Sequence, residues 1–156
     1  MCRAASTSTS RFKGGVNPAP FEEVRGVEAI ARILDFWFAS EGLWFMKGDA
    51  FDGIICQRFV ADHESAAAGG LADWRETPDG CLALIVLLNQ FSHNMFRGAA
   101  RAFATDALAS CITETAVDRG FDQALPAVRR RFVYIPLGHA EDVDHQSRYV
   151  ALFDSL

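Results

Sequence analysis

No stretch of this 156-residue chain stays apolar for the roughly 18–20 residues that a membrane-crossing helix needs, so no membrane partner is expected. A basic surplus is missing as well. The formal net charge is -5, which argues against a nucleic-acid partner. The four cysteines, Cys2, Cys56, Cys81 and Cys111, share no C-x-x-C spacing and have no histidine at metal-ligand distance in sequence. The last three lie in apolar helical patterns and read as small core residues of a reduced compartment. Glycine-rich phosphate loops, G-x-S-x-G elbows and H-E-x-x-H pairs are absent, so no cofactor and no metal are expected. No run alternates with period two, which leaves strands without a signal.

What remains is helical. Half of the residues are hydrophobic and 13 are Phe, enough for the core of one globular domain. Residues 1–20 stand apart, being Ser-rich, Arg-containing and acid-free. They read as a disordered leader or an organellar transit peptide. The expected compartment is cytoplasmic in the first case and organellar in the second. From Val24 a helical period takes over, and residues 21–156 read as a single helical domain. Val27, Ile30, Leu34 and Trp37 form a first stripe, ending near Ser40 and Gly42. Asp49 caps a second helix carrying Ile55 and Phe59. Thr77, Pro78 and Asp79 mark the start of a third, as N-cap, first-turn proline and dipole-favoured acid. Thr105 or Asp106 caps a fourth helix that ends at Arg119-Gly120. Pro126 opens a fifth that breaks at Pro136, and residues 142–156 form a sixth. Short connections favour antiparallel pairs. The stripe of Tyr149, Leu152, Phe153 and Leu156 ends unfinished, from which we expect a domain incomplete at its C-terminus.

Residues 89–98 hold the main functional signal. At about 100° per residue, Leu84, Leu88, Phe91 and Met95 share one stripe, while Asn89, His93 and Arg97 fall opposite, with Gln90 at the edge. Cys81–Leu88 thus reads as buried on every side, and 89–97 as amphipathic, with Gly98 as the stop. Asn89, Gln90, His93, Asn94 and Arg97 together offer amide, imidazole and guanidinium groups for a carboxylate, a phosphate or a peptide. The alternative is a wet face on which Arg97 pairs with a neighbouring acid. His139 and Glu141 are candidates for acid-base catalysis, unless His139 only caps a helix C-terminus. His63 and His145, in polar settings, read as surface. Arg129-Arg130-Arg131 reads as a solvated helix face. Asp35 is either exposed or buried against Lys47 or Arg97. Trp37, Trp44 and Trp74 belong to the core or to the walls of a pocket.

Several blocks together resemble one family: Ile33-Leu34-Asp35-Phe36-Trp37-Phe38, Asp49-Ala50-Phe51-Asp52, Asn89-Gln90-Phe91, Asn94-Met95-Phe96-Arg97-Gly98, Ala102-Phe103-Ala104-Thr105-Asp106, Gly120-Phe121-Asp122 and His139-Ala140-Glu141-Asp142. From about Ala29 to Leu156 the chain resembles the bacterial domain of unknown function 924. The resemblance implies an all-α fold of antiparallel helix pairs in a tetratricopeptide-like right-handed superhelix, with about six helices, and implies no activity. A 34-residue repeat is not evident. Where the family usually reads Asp-Gln-Phe-Pro-Arg-Asn, this chain has Asn89-Gln90-Phe91-Ser92-His93-Asn94. The family also usually continues into a Phe-Pro-His-Arg-Asn block.

Three functional readings follow. The first is a binding module for a small polar or anionic ligand or a short peptide. The second is an enzyme of unknown reaction using His139 and Glu141. The third is a truncated structural remnant whose open C-terminal edge takes a protein partner.

Overall fold

The computed structural model describes residues 20–156, with side chains from Glu23 onward. The leader expected over residues 1–20, and Cys2 with it, fall almost entirely outside the described residues. Among the described residues there is no strand. The helices are α1 (Pro20–Ala39), α2 (Asp49–Ala67), α3 (Pro78–Ile85), α4 (Ser92–Met95), α5 (Asp106–Asp118), α6 (Ala127–His139) and α7 (Val143–Asp154). A π-helical segment, Val86–Phe91, joins α3 to α4 without a break, so the three form one central rod. The all-α expectation and its count of about six helices therefore hold.

The rod is central because its first part has no polar face. Cys81 through Leu88 are all buried, as their composition requires, and α1, α2, α5 and α6 pack around them. Its start is fixed locally. Thr77 Oγ1 accepts from the Gly80 amide at 3.1 Å, and Pro78 occupies the first turn. A side chain at Gly80 would bring Cβ to 2.0 Å from the Trp74 carbonyl, so glycine alone lets α3 begin this close to the preceding 3-10 turn. At the end of α5, Gly120 takes φ of 71°. The amide of Phe121 bonds back to Ala116 and that of Gly120 to Val117, which is the hydrogen-bond pattern of a Schellman stop.

Aromatic rings knit the helices together. Phe91 of the rod meets Phe59 of α2 at 4.7 Å and Trp37 of α1 at 5.7 Å, while Trp37 meets Phe132 of α6 at 5.6 Å. Pro136 does not interrupt α6, which runs on to His139. Across that proline, Ser110 and Thr113 of α5 donate to the carbonyls of Pro136 and Val133 at 3.1 and 2.8 Å. These bonds tie α6 to α5, and the first gives a donor to a last-turn carbonyl, which has no partner within the helix.

His63 departs from its sequence reading. It is 3% exposed, not on the surface, and its ring packs on Phe96 at 5.4 Å. Neither ring nitrogen has a hydrogen-bond partner. Burial, then the charge of Arg101, hold its pKa below the ordinary value, against a smaller pull from Glu64. The fold therefore binds the neutral ring. As pH falls below about 6.5, the unfolded chain takes up a proton that the folded one refuses, so stability falls by up to roughly 1.4 kcal/mol per pH unit until the folded pKa is reached. We expect urea midpoints to drop between pH 7 and pH 5, and His63→Leu to make that dependence shallower. A slope unchanged in His63→Leu would refute this origin.

Candidate functional site

The π segment reorganises the polar face of the rod. An i→i+5 turn adds a residue and shifts the helical phase, and such turns recur at functional sites. The single stripe expected for Asn89, His93 and Arg97 is split, since the helix ends at Met95 and Arg97 lies in the turn beyond it. Asn89 and His93 turn toward α5 and α6, whereas Asn94 and Arg97 turn toward α2. Thr105 secures the segment by donating its hydroxyl to the Leu88 carbonyl at 2.5 Å, and Ser92 donates to the Ala102 carbonyl at 3.0 Å.

On the first side, Asn89 Nδ2 donates to Asp106 Oδ1 at 2.9 Å and lies 3.1 Å from His139 Nδ1. His93 Nε2 is 2.9 Å from Asp106 Oδ1 and 3.1 Å from Oδ2. Gln90 Nε2 donates to Asn89 Oδ1 at 2.7 Å and so fixes which way the Asn89 amide points. The rings of His93 and His139 stack with centroids 5.1 Å apart. His139 is exposed overall, yet partial desolvation, then the nearby His93, depress its pKa, and Asp106 opposes them. One donor atom each from His93, Asp106 and His139 lies within 4.8 Å of the other two, a spacing that suits a metal ion.

On the second side, Asp52 accepts Asn94 Nδ2 at 2.7 Å, Arg97 Nε at 2.6 Å and Arg97 Nη2 at 3.0 Å. Arg97 thus pairs with Asp52, not with Asp35, which is exposed.

Between these clusters opens a cleft of about 480 Å³. Gln90, His93, Asn94, Arg97 and His139 all line it. Asn89 does not; it is fully buried beneath, holding the cluster in place. The loop after α1 brings Trp44, Phe45, Met46 and Lys47 to the cleft, α6 brings Arg131 and Phe132, and α7 brings Tyr149 and Phe153. Trp44 is anchored by donating Nε1 to the Trp37 carbonyl at 2.7 Å. Gly138 lets Tyr149 lie against α6, since a Cβ there would meet its ring at 3.1 Å.

Glu141 is not part of this arrangement. It is exposed, lies outside the cleft lining, and makes no hydrogen bond or ion pair among the described residues. The carboxylate beside the histidines is that of Asp106, which the sequence suggested only as a helix cap. Lys47 and Arg131 were also missed as site residues. Arg129 reaches Asp79 and Arg130 the Leu125 carbonyl, while Arg131 faces the cleft. His145 bonds Glu114 at 3.0 Å, away from the cleft. Among the described residues no helix is long and apolar enough to cross a membrane.

Comparison with known proteins agrees with this architecture. Residues 33–156 match a family described as bacterial protein of unknown function (DUF924). A solved structure of a protein of unknown function from Agrobacterium tumefaciens is 42% identical, with a TM-score of 0.80 over 83% of this chain and 74% of that one. No curated protein matches.

Proposed function

Since this chain belongs to DUF924, the bacterial family of unknown function, its cleft must carry the functional reading, and we propose that it binds a small anionic ligand with a flat apolar part. One observation carries this. The cleft is lined by Lys47, Arg97, Arg131 and two histidines, with no carboxylate, in a chain whose net charge is -5. Arg97 is already paired with Asp52, but Lys47 and Arg131 have no ion pair among the described residues. Unpaired cations at a concave, partly apolar wall focus positive potential where an anion would sit. The aromatic wall of Trp44, Phe132, Tyr149 and Phe153 suits a ring, and the volume falls in the range of small-molecule sites.

Phenyl phosphate is a suitable probe, with phenol as its uncharged counterpart. Calorimetric titration should show saturable binding of phenyl phosphate and much weaker binding of phenol. Each lost charge-assisted bond corresponds to about a tenfold change. Lys47→Ala with Arg131→Ala should therefore weaken phenyl phosphate on the order of 100-fold and leave phenol unchanged. Equal affinity in the wild type and the double variant would sink this reading.

A further inference from the structure

We propose that His93, Asp106 and the exposed His139 form a binding site for a divalent transition-metal ion where the two histidines line the cleft. The proposal does not depend on the anion reading. It starts from where lone pairs point. The amide nitrogen of Asn89 is 2.9 Å from Asp106 Oδ1 and 3.1 Å from His139 Nδ1, so two acceptors converge on one donor. His93 Nε2 is 2.9 Å from the same carboxylate oxygen. Three donor atoms from three separate elements, the rod, α5 and α6, thus gather within 4.8 Å. Small inward movements bring such atoms to the roughly 2.0–2.2 Å that zinc-type ions require.

The cluster also contains the means to exchange a hydrogen-bond donor for a cation. Turning the Asn89 amide by half a turn replaces its NH2 with Oδ1 and supplies a fourth ligand. That turn breaks the bond from Gln90, which donates to Asn89 Oδ1 at 2.7 Å. Gln90 lines the cleft and can turn its own amide in step, accepting where it had donated. His93 becomes a ligand through Nε2 by carrying its ring proton on Nδ1. Two imidazoles, a carboxylate and an amide oxygen select borderline ions such as zinc, cobalt or nickel, since calcium and magnesium prefer oxygen alone.

The chain's four histidines make the test clean. His63 is buried in the core and His145 sits apart with Glu114. Chelator-stripped protein is titrated with cobalt(II), followed by visible absorption, and zinc is then added in competition. We expect one ion per chain, d–d bands without the intense thiolate charge-transfer band of cysteine ligation, and displacement by zinc. His139→Ala should abolish the bands, with circular dichroism confirming its fold. Asn89→Ala should weaken binding by about 10–100-fold. His145→Ala and the Lys47→Ala, Arg131→Ala double variant should bind as the wild type does. That last result separates the metal site from the anion cleft. Absence of saturable binding in the wild type, bands that survive His139→Ala, or a thiolate band would each overturn the assignment.

Discussion

Phe91→Ala should lower stability by about 3–5 kcal/mol, the range for truncating a buried aromatic. Phe91 is fully buried, and its ring meets Phe59 at 4.7 Å, Trp37 at 5.7 Å and Phe36 at 6.0 Å. Those rings belong to α1 and α2, and both helices are held by contacts elsewhere on the rod. Neither can move into the vacated space without giving up its own packing, so the void persists and its penalty adds to the lost transfer energy. A domain of this size is stable by roughly 5–15 kcal/mol, so the change is a large fraction of the total. Urea unfolding should show a lower midpoint with an unchanged slope, because the surface exposed on unfolding is nearly the same. Phe91→Leu, which keeps most of the volume, should lose less than half as much. Equal midpoints for Phe91→Ala and wild type would mean that the ring cluster is not the centre of the fold.

Why Phe91 could be placed in the core from sequence, while Asn89 and Arg97 could not be correctly grouped, comes down to what leaves a mark in composition. Cys81–Leu88 offers no polar face, so burial on all sides is the one arrangement available to it, and the structure has it so. Thr77-Pro78 and Gly120 act through local backbone chemistry and are equally legible. The π turn leaves no such mark. Nor does the end of α4 at Met95, which leaves Arg97 in a turn beyond the helix, where it joins Asn94 on Asp52, 45 and 42 residues away. His63 was misread because Asp62 and Glu64 flank it. Its helical register with Ile55 and Phe59, at i-8 and i-4, was the better signal. The arginine run misled in the same manner. Successive residues on a helix diverge by about 100°, so Arg129, Arg130 and Arg131 have three different surroundings. Asp106 stood inside a family block, yet its pairing with His93 and His139 depends on how α5 and α6 meet the rod.

Asp52→Ala should cost about 2–3 kcal/mol, and its origin differs from that of Phe91→Ala. The ion pair alone would account for little, since the Arg97 side chain is 41% exposed and solvent screens it. The larger share belongs to Asn94, which is 6% exposed and donates to Asp52 at 2.7 Å. Without the carboxylate its amide is left buried and unpaired, and the two-point hold on Arg97 is lost. Burial alone would raise the Asp52 pKa, but the hydrogen bonds from Arg97 and Asn94, with the Arg97 charge, outweigh it and bring it below the usual carboxylate value. The sign follows. The folded pKa lies below the unfolded value of about 3.9, so the stabilisation is complete above that pH and is lost as pH falls through the folded pKa. Urea midpoints of wild type and Asp52→Asn should therefore differ at pH 7, and the gap should narrow as pH falls below about 3.9. Protonation of His63 weakens both proteins alike and cancels in that difference. A gap that stays constant down to pH 3 would show that the carboxylate charge contributes nothing at this position.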